Sequence, residues 1–298
     1  MPPSILGLGM RITNSLLQQR VLRDLQANLA TVAKAQEQVS SGKRFETMSE
    51  DPVAGAQVLT ADRGLRGVEQ YRRNSTAARS RVDAEEAVLN QLTDLLTRAK
   101  ELAIQEGDST SSPVTRAATA AEIQQVIEQV IQLGNTQVGA EHLFAGHQAG
   151  QPFDATGAYF GDDGQRQSEI GQTYLMTTNH TGRELLVNSG VLSGLQGLLT
   201  QLQTGTPAGI QGTISGINAA FKEVQTMLAT TGARSRQIDS AMQNNDAIEA
   251  SLTLTRSDAQ DVSIEEATTR LVGTQTAIQA ALLSASRILN TSLVDYLR

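Results

Sequence analysis

Apolar residues recur at steps of three and four along most of the chain. In the first segment, expected to be helical over Met10–Ser41, Leu22, Leu25, Leu29, Val32, Gln36 and Val39 trace a heptad seam with one polar interruption, and Ile12 and Leu16 extend an apolar face upstream. Gly42 suits a helix C-cap. The stretch SSGKRFETMSEDPVAG, Ser40–Gly55, therefore reads as a break between two helices. Asp51 can accept a hydrogen bond from free N–H groups as N-cap, and Pro52 fits the first turn, where its missing N–H needs no partner.

The second helix is expected from Pro52 to about Glu106. Val68, Tyr71, Ser75, Ala78, Val82, Glu85, Leu89, Leu92, Leu96, Ala99 and Ala103 hold one frame, with Glu85 its only charge. Continuous, it would run roughly 80 Å; Gly64 and Gly67 weaken it and mark a place for a kink. GDSTSS, Gly107–Ser112, is a turn, and Ser112-Pro113 repeats the cap-then-proline signal. Ile123, Val126, Val130 and Leu133, with Ile127 and Ile131 beside them, predict a third helix to about Gln137, antiparallel to the second.

From Gly146 to Gly190 the pattern gives way to Gly, Asp, Asn and Thr, which predicts a β-rich insertion. Tyr159–Gly164 reads as a hairpin turn, and Ile170–Met176 and Glu184–Val187 as strands. Helical spacing returns over Val191–Leu202, breaks at Thr204–Gly209, and resumes with Ile217, Ala220, Val224, Met227, Ile238, Ala241, Ile248 and Leu252 in one frame. Thr231, Arg234 and Asn245 sit within that seam, which suits a wet or adaptable interface. Ser263–Glu266 is a capping box that starts the last helix. Its seam is Ile264, Ala267, Leu271, Thr274, Ile278, Ala281, Ala285 and Ile288, and Leu282, Leu289, Leu293 and Tyr296 form a neighbouring stripe.

The fold class expected is mainly α with a small β-rich insertion, a long antiparallel helical rod or coiled-coil bundle with its N- and C-terminal helices paired. The breaks at Gly42–Asp51 and Asp258–Ser263 become partners if the chain folds back at the insertion. Residues 10–45 plus 259–298 would form an inner terminal coiled-coil domain, 46–145 plus 191–258 a helical rod, and 146–190 an outer β-rich insertion, with 1–9 an extension. A two-helix pair buries only one face of each helix, and ordering each residue costs on the order of 1.5 kcal/mol. The terminal helices are therefore expected to reach stable form only in an assembly. The contact residues expected are Leu22, Leu25, Leu29, Val32, Val39, Leu271, Ile278, Leu282, Ile288, Leu289, Leu293 and Tyr296, framed by caps and breaks at Gly42, Asp51, Pro52, Ser263 and Glu266.

Composition narrows the function classes. Of 298 residues 39% are hydrophobic but only 3% aromatic, without Trp, which favours helices packed side by side over one thick core. The net charge of −7 and the lack of a basic region argue against a nucleic-acid partner. No Cys is available for a disulfide, a Cys-based zinc site or a thiol nucleophile. No apolar run is long enough to insert in a membrane as a helix, and MPPSILGLGMRITNS does not read as a conventional secretory signal, so export would need another route. Glu141, His142 and His147 lack the spacing of a metal site, GDDG at Gly161–Gly164 lacks the alternating carboxylates of a calcium loop, and His180 reads as a solvated turn residue. No catalytic, cofactor-binding or metal-ligating residue is expected, and no enzyme activity.

Several motifs carry a resemblance. Met10-Arg11-Ile12-Thr13-Asn14, SSGKR at Ser40–Arg44 and SEDPVAGAQ at Ser49–Gln57 resemble the amino-terminal region of the flagellin-like axial proteins of the bacterial flagellum. ARSRQID at Ala233–Asp239, EEATTRL at Glu265–Leu271 and the run from Gln275 to Leu297 resemble their carboxyl end. Asp51-Pro52, LFAG at Leu143–Gly146 and the ending Ser292–Leu297 are most similar to the hook–filament junction branch, the flagellin-like hook-associated proteins. The family pattern begins at Met10. The resemblance implies a structural adaptor that assembles as a ring between the hook-associated proteins and the filament, outside the cell. Export would run unfolded through the flagellar type III route. The partners implied are copies of itself, the other hook-associated junction protein, flagellin and a flagellar export chaperone. The alternative is filament flagellin, the bulk self-polymerising subunit.

Overall fold

The computed structural model describes residues 6–108 and 111–296; side chains are described at 16, 19–108, 111–284 and 286. Among the described residues the α-helices are α1 (Leu6–Ser41), α2 (Pro52–Glu106), α3 (Pro113–Gly134), α4 (Val191–Thr204), α5 (Pro207–Gln260) and α6 (Ile264–Tyr296). Between α3 and α4 lie two antiparallel strand pairs, β1 (Gln137–Val138) with β2 (Glu141–His142) and β3 (Gln167–Gly171) with β4 (Tyr174–Thr177), then a π-helical turn at Arg183–Asn188. The fold is mainly α with a small β-rich insertion. It divides into two compact units, one of Met1–Gly64 with Ser251–Arg298 and one of Leu65–Ala250.

In the larger unit α2 and α5 run antiparallel. Their cross-pairs step steadily: Arg72 with Glu249 (3.2 Å), Arg79 with Asp239, Glu85 with Thr231 (3.0 Å), Thr93 with Gln225 (3.3 Å) and Gly107 with Gln211 (2.8 Å). The expected α2 seam is buried from Val68 to Ala103, with Tyr71 half-buried. Leu89, Leu92, Leu96, Ile123, Val130, Leu195, Leu198 and Ile217 build the main core. The β3–β4 hairpin closes a second cluster, setting Ile170 and Met176 on Ala78, Val82 and Ile238.

The ends of α2 behave as read. Asp51 Oδ1 accepts from the Ala54 N–H at 3.0 Å and Pro52 opens the helix. Helix α2 runs unbroken through Gly64 and Gly67, and Gly64 lets α5 approach, since a Cβ there would sit 2.7 Å from the Leu252 side chain. Helix α1 is already formed at Leu6, the first described residue, upstream of Met10. Helix α3 stops at Gly134, short of Gln137, because Asn135 turns to bond both backbone groups of Phe153 at 2.9 and 3.0 Å.

The insertion departs most from expectation. Ile170–Met176 is not one strand but a hairpin whose tip is Gln172-Thr173, with Thr173 at φ 58°. The Asp-Gly signal at Asp162–Gly164 does not turn a hairpin; Asp162 Oδ1 accepts from the N–H groups of His147 (2.7 Å) and Gly164 (2.9 Å) and ties two loops together. Glu184–Val187 is π-helical, not a strand. Thr181 and Glu184 form a reciprocal cap, with Thr181 N–H donating to Glu184 at 3.0 Å and Glu184 N–H to Thr181 Oγ1 at 3.3 Å. The adjacent Leu185 and Leu186 are then both buried.

Candidate functional site

In the smaller unit the two breaks meet. Lys43 and Asp261 form an antiparallel bridge, Arg44 N–H donates to the Gln260 carbonyl (2.6 Å), and Val262 N–H donates to the Gly42 carbonyl (2.9 Å). Gly42 is left-handed at φ 70°, the conformation that ends α1 and turns its carbonyl toward Val262. Arg44 clips the junction with one nitrogen, donating to Asp51 at 3.1 Å and to the Ala259 carbonyl at 2.9 Å. Gln38 donates back to the Arg44 carbonyl at 2.8 Å, and Phe45 is buried with Ala54, Val58 and Ala259. Lys34 pairs with Glu50 at 2.6 Å, and that bond, with one from Thr47, holds the Glu50 carboxyl below its ordinary pKa. The sequence reading missed Arg44 and Phe45; the signal was a Phe placed in a polar break of a chain with five.

From this clip α1 and α6 run as an antiparallel pair. The α1 face packed on α6 is Val21, Leu25, Asn28, Val32, Ala35 and Val39, half-buried or buried, with Gln38 buried beside it. This splits the seam read from the sequence. Leu25, Val32 and Val39 turn inward, whereas Leu22, 59% exposed, Leu29, 52% exposed, and Gln36 form an outer stripe one step round the helix. On α6, Ala267 is buried and Leu271, Thr274, Ile278 and Ala281 are half-buried. Ile264, Val272, Leu282 and Leu283 are exposed, Val272 at 62% and Leu283 at 65%. Val272 and Leu283 lie eleven residues apart, three helical turns, and so share a face. A cavity of about 290 Å³ remains between the helices among Ala30, Thr31, Lys34, Ala35, Gln38 and Arg270.

The side chains of Ile288, Leu289, Leu293 and Tyr296, also expected in the contact, lie outside the described residues. At the start of α6, Ser263 Oγ accepts from the Glu266 N–H at 3.4 Å. Glu266 directs its carboxylate to Arg270 at 2.8 Å instead of closing the box.

The larger unit holds a polar layer in the α2–α5 seam. Glu85, buried, accepts from Thr231 at 3.0 Å and contacts His180 Nδ1, while Arg234 stands 3.9 Å away. His180 is thus a nearly buried partner of Glu85, not a solvated turn residue, because the chain after β4 crosses the seam at this point. Asn245, also buried, donates to the Ile170 carbonyl at 2.9 Å. Glu85 and Thr231 are bonded across the seam, and Asn245 ties α5 to β3. Glu141 pairs with Arg81 and Arg166, and His142 bonds Asn135 and Gln137. Among the described residues no cluster of three His, Cys, Asp or Glu is arranged to hold a metal, and no helix is long and apolar enough to cross a membrane.

Residues 12–149, α1 through β2, match the family model for the bacterial flagellin N-terminal helical region. The chain is 31% identical over 179 residues to flagellar hook-associated protein 3 of Salmonella typhimurium and 30% identical over 179 residues to that of Escherichia coli. Each match covers 59% of this chain and 56% of the relative, so the chain spans about half the length of the curated relatives it matches. A flagellin of Clostridium tyrobutyricum is 28% identical over 143 residues. The fold is also that of a flagellar hook-associated protein from Vibrio parahaemolyticus, with TM-score 0.65 and 18% identity over 71% of this chain and 100% of that one. The flagellar junction protein FlgL from Legionella pneumophila has TM-score 0.58 and 17% identity over 69% of this chain and 100% of that one.

Proposed function

We propose that this chain is a structural, non-catalytic adaptor of the bacterial flagellum, forming a ring at the hook–filament junction that joins the hook-associated proteins to the flagellin filament. The observation that carries the reading is the outer stripe of the terminal helices. Leu22 and Leu29 on α1 and Val272 and Leu283 on α6 are more than half exposed after α1 and α6 have paired. Burying the exposed part of each such leucine or valine against a neighbour contributes about 1–2 kcal/mol, roughly half to two-thirds of what full burial gives. Copies of the same chain, flagellin and the other junction protein present matching helices if they share this architecture. In this reading the terminal pair, residues 10–45 plus 259–298, forms the inner contact, and 46–145 plus 191–258 carries the 146–190 insertion outward. The chain reaches its site outside the cell through the flagellar type III route, escorted by an export chaperone.

The similarity to two hook-associated proteins over a longer stretch than to the flagellin favours the adaptor over a bulk filament subunit. Deletion of the gene, followed by motility assay and electron microscopy, tests the proposal. The adaptor role predicts hooks without filaments and flagellin lost to the medium; normal filaments on the deletion strain contradict it. Long filaments grown by the purified chain from seeds would favour the flagellin reading.

A further inference from the structure

A second site stands apart from the terminal helices. A cavity of about 410 Å³ in the larger unit is lined by Ser80, Arg81, Glu141, Arg166, Ser168 and Thr178, among others. Arg81 comes from α2 and Arg166 from the segment entering β3, and both guanidinium groups converge on one oxygen, Glu141 Oε2, at 3.0 and 2.9 Å. Two positive charges thus share one negative charge. The three groups differ in burial: the Arg81 side chain is 13% exposed, Arg166 25% and Glu141 53%. Two nitrogens of Arg81, Nε and Nη2, are buried without a hydrogen-bond partner. Burial, and after it the charge of Arg166, push the Arg81 guanidinium below its ordinary pKa. Arg166 is anchored separately, its Nε donating to the Gly146 carbonyl at 2.8 Å. The nearest other carboxylate on α2, Glu85, bonds Thr231 and contacts His180.

We propose that this pocket is a carboxylate-recognition site, in which Glu141 is a resident carboxylate that an incoming one replaces. A half-exposed ion pair is weakly held, whereas a buried guanidinium left unpaired is strongly disfavoured. The pocket therefore demands a carboxylate but holds its own loosely. Glu141 sits on the two-residue strand β2, beside the Gly139 turn at φ 64°, so it can leave without disturbing α2. Each arginine turns one charged donor, Nη1, to the same oxygen, so an incoming carboxylate oxygen meets two charge-assisted hydrogen bonds in place of those of Glu141. The incoming group is either a small free carboxylate or an acidic side chain of a neighbouring protein. The proposal does not depend on the flagellar role.

Arginine Nε–H signals of the ¹⁵N-labelled full chain, followed during titration with succinate at ionic strength fixed by NaCl, test it. The Arg81 and Arg166 signals are expected to shift and saturate. Glu141→Gln removes the internal competitor and tightens the apparent Kd about tenfold or more, and Arg166→Gln abolishes binding. If Arg166→Gln does not fold, Arg166→Lys keeps the charge but cannot both hold the Gly146 carbonyl and aim a donor at the pocket, and is expected to weaken binding. Saturation by succinate assigns a solute; saturation only by a tetraglutamate peptide assigns an acidic segment of a partner chain. Signals that stay fixed in Glu141→Gln with both probes, or that shift equally in Arg166→Gln, overturn the proposal.

Discussion

Arg44 Nη2 donates to the Ala259 carbonyl at 2.9 Å, joining the segment after α1 to the end of α5 across 215 residues of sequence. The same nitrogen bonds Asp51, the cap of α2, so one side chain ties together the end of α5 and the start of α2. The bridge between Lys43 and Asp261 lies beside it.

Arg44→Ala is expected to loosen this junction. Hydrogen bonds from a charged donor contribute about 1.5–3 kcal/mol, and the half-exposed position of Arg44 reduces that to about 1 kcal/mol. Hydrogen exchange at the Val262 amide, which donates to Gly42, should accelerate, while exchange at Leu92 and Leu96 stays unchanged. An unaltered Val262 rate would show that the backbone bridge needs no clip.

Thr231→Val keeps the shape of a fully buried side chain but deletes the hydroxyl that serves Glu85. Glu85 Oε2 already has no partner, so the loss falls on a carboxylate with few donors to spare. The expected cost is about 1–3 kcal/mol in urea unfolding, with Thr231→Ser milder because the hydroxyl remains. A Thr231→Val variant as stable as the parent would mean that His180 and Arg234 suffice.

Leu22→Gln and Leu29→Gln separate assembly from folding. Both residues are more than half exposed, so the unfolding free energy of the purified chain should change by no more than about 0.5 kcal/mol. Complementation of a deletion strain should nonetheless fail. Leu25→Gln, on the face packed against α6, should lower stability as well. Full motility with both outer leucines replaced would remove the stripe from the contact.

Acid should act on the break through Glu50. Its folded pKa lies below the ordinary 4.5, chiefly through the bond from Lys34 and then that from Thr47. A depressed folded pKa contributes stability that is present above the unfolded value and lost as pH falls through the folded one. The Lys34–Glu50 pair should therefore still hold at pH 4.5, where an ordinary carboxyl is half protonated, and be lost only as pH falls further, followed by the carboxyl ¹³C shift of Glu50. A Glu50 midpoint above 4.5 would contradict the assignment.

The helices were legible because each repeats one signal many times. The α2 seam from Val68 to Ala103 offers eleven concordant positions, and Asp51-Pro52 and Ser112-Pro113 announce their caps. The β-rich insertion was legible only as a change of character. Its hairpin turns at Gln172-Thr173, a pair without Gly or Asn, and no local signal marks a Thr at positive φ. Thr181–Glu184 did carry a capping signature, but the apolar pair Leu185-Leu186 also reads as strand in so short a run. His180 was unreadable because its partner, Glu85, lies 95 residues away. On α1 the period was plain, yet a heptad seam one step wide cannot say which edge faces α6 and which faces outward; only the paired helices separate Leu25 from Leu22 and Leu29.

Hydrogen exchange of the isolated chain, read by mass spectrometry, tests most directly whether the terminal helices depend on neighbours for their stability. The account predicts that amides of residues 16–41 and 264–284 exchange far faster than those of Leu89–Leu96 in the free chain, and that both segments become protected when the chain is part of assembled flagella. Terminal amides as protected as Leu89–Leu96 in dilute monomer would contradict it.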